Sequence, residues 1–153
     1  MEHKVRVLEP EQLMEPLLAL LEEEAVVPLV ITGSSMTPFL VHDRDTVYLT
    51  KASHPLKRGD MALYRRDNGA CILHRVYRAE QNSYTMVGDA QTMLEPGIRP
   101  DQVKAVVSAV RRKGKLLKKG SFWWDFFEIL WIRMVPLRPG IRAAYSWVKR
   151  VTK

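Results

Sequence analysis

Between residues 26 and 110 the chain divides into six short β-prone runs: Val26 to Ile31, Thr46 to Thr50, Met61 to Tyr64, Cys71 to Tyr77, Ser83 to Val87 and Val103 to Val110. Turn residues separate them at Asp43-Arg44-Asp45, Arg58-Gly59-Asp60, Asp67-Asn68-Gly69, Gly88-Asp89 and Glu95-Pro96-Gly97. Short strands with close turns predict a mainly β fold, a small antiparallel or barrel-like domain. Asp67-Asn68-Gly69, between Leu63-Tyr64 and Ile72-Leu73, predicts a hairpin loop. The 153 residues suffice for one domain with a real core and appendages. The expected division is an N-terminal helical segment over 1–25, a β domain over 26–110 and a helical tail over 111–153.

Residues 9 to 24 place Leu13, Met14, Leu17, Leu18, Leu20 and Leu21 at helical spacing, with Pro10 near the first turn. Pro16 lies inside this pattern and is expected to divide or kink the helix. The tail differs in charge. Residues 1 to 110 carry 12 Lys/Arg and 15 Asp/Glu, whereas residues 111 to 153 carry 12 Lys/Arg against Asp125 and Glu128 alone, so the formal +7 belongs to the tail.

Arg111, Arg112, Lys113, Lys115, Lys118 and Lys119 run directly into Phe122-Trp123-Trp124-Asp125-Phe126-Phe127. As a helix with Ser121 at its N-cap, this segment puts Trp123, Phe126, Phe127, Leu130, Trp131 and Met134 on one face, with Asp125, Glu128 and Arg133 on the other. After Pro136 and Pro139-Gly140, Ile141 to Val151 reads as a second helix, with Ala144, Tyr145 and Val148 opposite Arg142, Lys149 and Arg150. Two readings stay open. The tail is a helical hairpin packed on the β domain, or it meets anionic lipid through its six leading cations together with Trp123, Trp124, Phe127 and Trp131. Nucleic acid is not an expected partner, because no base-reading module is present.

The lone Cys71 excludes an internal disulfide framework and a cysteine-based zinc site, and neither metal nor cofactor is expected. Met1 to Arg6 has mixed charge and no apolar stretch of the kind that makes a secretory leader. The longest uncharged run, Ala25 to His42, is interrupted by Pro28, Gly33 and Pro38 and makes a poor membrane span. The expected location is cytoplasmic, or peripheral to a membrane.

Chemistry is concentrated in Ile31 to Leu40, Ile-Thr-Gly-Ser-Ser-Met-Thr-Pro-Phe-Leu. Gly33 lets the chain turn sharply and hold a hydroxyl out of the sheet. Taken alone, this is a Ser/Gly turn between strands. A serine that attacks a carbonyl also needs a base, and the histidines available are His3, His42, His54 and His74. His3 is terminal, His54 precedes Pro55 in a polar turn, and His42 lies only seven residues beyond Ser35. His74, in Cys71-Ile72-Leu73-His74-Arg75-Val76-Tyr77, sits within a predicted strand, where a sheet would hold its ring still.

Four blocks, Gly33-Ser34-Ser35-Met36-Thr37-Pro38, Arg58-Gly59-Asp60-Met61-Ala62-Leu63-Tyr64, His74-Arg75-Val76 and Val87-Gly88-Asp89, resemble in order and spacing the signature of type I signal peptidases. The resemblance covers about residues 26 to 110 and implies the fold shared by signal peptidases and the LexA-type repressors. It looks most like the endoplasmic-reticulum and archaeal branch, where histidine replaces the usual bacterial lysine. Carried over motif by motif, it implies Ser35 as nucleophile and His74 as base. Asp89 ranks first as the acid that orients the histidine, and Glu95 is the alternative. The backbone N–H of Ser35 would meet the oxyanion. Some members add a hydroxyl two residues before the nucleophile, where this chain has Gly33, so Ser34 or Thr32 can only substitute.

The resemblance implies a serine endopeptidase that cleaves an extended signal or leader peptide with small residues before the cut, through an acyl-enzyme. Signal peptidases meet their substrates at a membrane through an anchor, and no such span is legible here. The alternative is a non-catalytic module that keeps the fold and binds peptide or membrane.

Overall fold

The computed structural model describes residues 10–23 and 25–152 of the chain, so the His3 candidate lies outside the described residues. Eight strands form one antiparallel sheet: β1 (Val27–Val30), β2 (Thr46–Lys51), β3 (Met61–Arg65), β4 (Cys71–Ala79), β5 (Tyr84–Val87), β6 (Glu95–Ile98), β7 (Val103–Arg112) and β8 (Lys115–Leu117). Their order is β1-β2-β7-β3-β4-β5-β6, with β8 hairpinned onto β7. The mainly β expectation holds.

The β3–β4 hairpin forms where the Asp-Asn-Gly sequence asks for it. Arg66 and Ala70 are joined by a backbone hydrogen bond of 2.8 Å, and Gly69 takes a φ of 93° that favours glycine. This turn sets the register Ala62↔His74 and Tyr64↔Ile72, which places Tyr64 and His74 on the same face of the sheet.

Helix α1 (Pro10–Glu23) runs through Pro16 as one element and buries Met14, Leu17 and Leu21 against β1, β2 and β4. Pro16 lies midway along the helix, on its exposed face. The main core combines those residues with Val27, Ile31, Phe39, Leu40, Val47, Leu49, Leu63 and Val107. A second cluster on the other side of the sheet joins Tyr64, Val76, Tyr84, Met86, Ile98 and Val103.

The sheet continues past residue 110, because β7 ends at Arg112 and returns as β8. Beyond β8 the chain forms a continuous helical run: α2 (Phe122–Asp125), a π-helical turn over Phe126–Leu130, a 3-10 stretch over Trp131–Leu137 and α3 (Arg138–Val151). Ser121 stands at the N-cap position of α2, but its hydroxyl accepts from the Lys118 N–H and does not cap the helix.

The buried face of this run is Trp124, Phe127, Trp131, Ile132 and Val135, rotated from the expected face, and Trp123 and Leu130 are exposed. Apolar residues occupy nearly all sides of 122–135, so periodicity could not select the face. Packing onto Phe39 selected it: Phe127 and Trp124 lie 4.7 Å and 6.4 Å from the Phe39 ring centroid.

Trp124, Phe127 and Trp131 are therefore core residues and not the lipid contacts proposed from sequence. Arg112 is likewise committed, donating from Nε to the Phe39 carbonyl at 2.7 Å. Arg111 bonds Tyr48 and Gly114, and Lys113 occupies the tight β7–β8 turn with a φ of 51°. Lys119 faces Glu128 at 3.7 Å, and Lys115 and Lys118 are exposed. Among the described residues no helix is long and apolar enough to cross a membrane.

Candidate active site

The chain leaves β1 through a closed loop. Ile31 donates to the Asp45 carbonyl and accepts from the Asp43 N–H, both at 2.9 Å, so the two ends of the loop are tied together. Gly33 turns with a φ of 80° and donates its N–H to Nδ1 of His42 at 2.8 Å. That bond assigns His42 a bracing role. His54 is similarly occupied, its Nδ1 lying 2.8 Å from the Tyr84 hydroxyl. Met36, Phe39 and Leu40 point into the core and pin the far side of the turn. Ser34 is left exposed and Ser35 half-buried beside it. The Ser35 carbonyl accepts the Ala90 N–H at 2.9 Å. Its own N–H has no intramolecular acceptor among the described residues and can serve an incoming oxygen.

His74 is only 4% exposed. Its Nδ1 lies 3.3 Å from the Tyr64 hydroxyl, and Tyr64 donates its proton to Oε1 of Glu95. Arg66 completes the chain, donating from Nε to Oε2 of Glu95 at 2.7 Å. Because Tyr64 gives its hydrogen to Glu95, its oxygen accepts from Nδ1–H of His74. Nε2 then keeps the free lone pair.

Burial drives the His74 pKa down to about 4; Arg66 lowers it further, while Glu95 works the other way. Burial also pushes Glu95 up, but hydrogen bonds from Tyr64 and Arg66 outweigh it and hold its carboxyl below the usual range. Burial and the neighbouring Glu95 raise Tyr64, so its phenol stays protonated. At neutral pH the set is a neutral imidazole, a phenol and a carboxylate.

Gly88 joins the two halves of the site. A Cβ at this position would lie 2.5 Å from the Ser35 carbonyl oxygen and 3.1 Å from Nε2 of His74. The unprotonated edge of the imidazole and the serine turn thus press on the same glycine, and only a hydrogen there allows the approach. Among the described residues no hydrogen bond links Ser35 Oγ to His74.

The acid ranked first from sequence does something else. Asp89 is fully buried and takes Nε and Nη2 of Arg75 at 2.9 Å and 3.2 Å, leaving the face of His74 to Glu95 through Tyr64. Arg75 also donates to the Gly59 carbonyl at 2.8 Å. The reason is burial: a desolvated carboxylate needs a bidentate cation, and Arg75, next to His74 in β4 but on the opposite face, supplies it.

Three residues that the sequence did not assign to the catalytic set complete the site. Tyr64 is one, and the hairpin register already placed it beside His74. Trp131 and Arg138 are the others. The Trp131 indole donates to the Asp89 carbonyl at 2.8 Å. Arg138, fully buried, donates to the Gly88 and Gln91 carbonyls at 2.9 Å and 2.7 Å. The helical run thereby holds the Gly88–Gln91 loop. No short-range sequence signal pointed to this, since the partners lie more than forty residues apart.

Two cavities flank the site. An open cleft of about 690 Å³ is lined by His74, Glu95, Arg66, Met93, Pro139 and Arg142, among others. A pocket of about 100 Å³ lies between α1 and the strands, lined by Met14, Leu17, Leu29, Ile31, Leu63 and Leu73 with Thr32 and Cys71. Among the described residues no group of His, Cys, Asp and Glu is arranged to hold a metal ion.

No curated protein and no solved structure matches the chain. A family model, Peptidase S24-like, matches residues 5–110. That span carries the Ser35 turn, the β3–β4 hairpin with Tyr64 and His74, and the Gly88 loop, and the chain belongs to the Peptidase S24-like family.

Proposed function

We propose that the protein is a serine endopeptidase that cleaves a signal or leader peptide, with Ser35 as nucleophile, His74 as general base and a Tyr64–Glu95 relay orienting the base. The observation that carries this reading is the convergence of the Ser35 turn and the free Nε2 edge of His74 on Gly88. His74 Nε2 takes the Ser35 hydroxyl proton as Oγ attacks the peptide carbonyl, and the oxyanion faces the Ser35 N–H. The imidazolium returns its proton to the leaving amine. Water then enters and gives a proton to Nε2 as its oxygen attacks the acyl carbon, and the imidazolium passes that proton to Ser35 Oγ as the acid product leaves. The serine and histidine resemble the pair of the endoplasmic-reticulum and archaeal branch of the signal peptidases, here with Tyr64 between histidine and acid.

Strand edges support binding of an extended substrate. Among the described residues β1 pairs only with β2, and residues 71–74 of β4 pair with β3 but not with β5, whose register on β4 begins at Arg75. A peptide can add to such edges through its backbone. The 100 Å³ pocket beside Ile31 and Leu73 is lined mostly by apolar side chains, which suits an apolar residue of modest size before the cut.

A serine-directed fluorophosphonate labels the wild type and does not label Ser35→Ala. Equal labelling, or none on either protein, favours the second reading, a peptide-binding module on the same fold. That reading draws on the absence of a Ser35–His74 hydrogen bond among the described residues.

The pH dependence is a separate check. Because the base must be neutral and its pKa is about 4, kcat/KM rises through pH 4 and is flat at neutral pH, instead of rising near the ordinary value of 6.5. The same depression makes the folded state lose stability as pH falls from 6.5 to about 4, since within that window only the unfolded chain takes up the proton. A kcat/KM profile and a set of denaturant melts across this window measure both.

A further inference from the structure

Helix α3 leaves the body of the protein after one turn. Arg138 is buried and Ile141 packs on the main core, but every residue from Arg142 to Thr152 is exposed. On helical spacing Ile141, Ala144, Tyr145, Trp147, Val148 and Val151 form one broad stripe, with Arg142, Lys149 and Arg150 on the remaining arc. Tyr145, Trp147 and Val151 are 64%, 65% and 63% exposed, and Leu137, which leads into the helix, is 61% exposed. A short helix that opens with Pro139-Gly140 gains little stability from propensity alone. Its apolar stripe therefore calls for a covering surface.

We propose that α3 docks flat on an anionic lipid bilayer, its apolar stripe in the headgroup region and its cations toward lipid phosphates. Charge selects this occupant. No acidic residue occurs from Ile129 to Lys153, so a second copy of the helix would bring cations against cations with no carboxylate to pair them. Tyr145 and Trp147 have an apolar body and a polar edge, which suits the boundary between acyl chains and water, and Lys149 sits 5.4 Å over the Tyr145 ring at the rim of the stripe.

The lipid contact thus moves from Trp124, Phe127 and Trp131, which the core has taken, to the part of α3 beyond Ile141, whose side chains stay exposed among the described residues. Pro139 and Arg142, in the first turn of α3, line the cleft that holds His74. On the peptidase reading, docking brings the mouth of that cleft to the bilayer surface, where a membrane-associated precursor peptide would be presented.

The test is co-sedimentation of the full chain with phosphatidylcholine vesicles, with and without phosphatidylglycerol. It can be run on Ser35→Ala, so its outcome is independent of catalysis. Binding is expected with phosphatidylglycerol only, and to weaken as salt rises. Trp147→Ser with Val148→Ser is expected to weaken it about tenfold or more, as is Arg142→Gln with Lys149→Gln and Arg150→Gln. These side chains are exposed, and an unchanged thermal melt verifies that the variants stay folded. Absence of binding, equal binding to both vesicle types, or binding indifferent to both sets of variants overturns the proposal. So does a concentration-dependent dimer that Trp147→Ser abolishes in a protein that ignores vesicles, which would assign the stripe to a second copy.

Discussion

Alanine in place of His74 lowers kcat for peptide hydrolysis by about 10⁶-fold, the scale seen when a serine peptidase loses its base. No neighbour can take over. His42 is held by the Gly33 N–H and His54 by the Tyr84 hydroxyl, and Arg66, which lines the cleft with His74, is committed to Glu95. The relay is tested with the same assay. Glu95→Gln removes the charge that supports the imidazolium, and kcat falls by about 10²–10⁴-fold with KM little changed. Glu95 raises His74 through its charge, so the variant also moves the acid limb of kcat/KM below the wild-type position near pH 4. A merely structural role would leave that limb in place. Should Glu95→Gln keep full activity, Glu95 is not the orienting acid.

Arg75→Met costs about 3–5 kcal/mol of folding stability, because it leaves a fully buried carboxylate without its cation. Both partners are out of water, Arg75 at 1% and Asp89 at 0% exposure, and the Gly59 carbonyl loses its donor at the same time. In a chain of this size such a loss lowers Tm by roughly 10 °C or more. The double replacement Arg75→Met with Asp89→Leu recovers much of it, since two apolar side chains need no partner. Denaturant melts of the three proteins decide the point. A single variant as stable as the wild type would show that the pair does not hold the loop, and would return Asp89 to the catalytic candidates. The two series separate the carboxylates: Glu95 acts on rate and pH profile, Asp89 on stability.

Much of the β domain was legible because its signals are local. The Asp67-Asn68-Gly69 turn, the β-branched runs and the Gly33 bend each depend on a few adjacent residues. β6 was hidden for an equally local reason. Glu95-Pro96-Gly97 has the composition of a turn, yet among the described residues β6 pairs only with β5, and such an edge strand tolerates the missing N–H of Pro96. β8 was hidden among the cations of Lys113 to Lys119, which read as the start of a tail and in fact close a hairpin on β7. The helical run was legible as helix but not in orientation, because its apolar residues surround the axis.

By itself the sequence determined six of the eight strands, the hairpin at Asp67-Asn68-Gly69 and the sharp turn at Gly33, which rest on residue chemistry within a few positions, and four blocks spread over residues 26 to 110 marked the superfamily of signal peptidases and LexA-type repressors. Only the tertiary structure decided which carboxylate faces His74. Asp89 and Glu95 are six residues apart, and the choice turned on the faces of the sheet that receive Arg75 and Tyr64. It also decided where the aromatic tail goes. Trp124, Phe127 and Trp131 were equally suited to lipid or core, and the ring of Phe39 beneath the serine turn had to be covered by something. Burial is a property of the whole chain, so a segment apolar on every side acquires its inner face only when a partner surface exists.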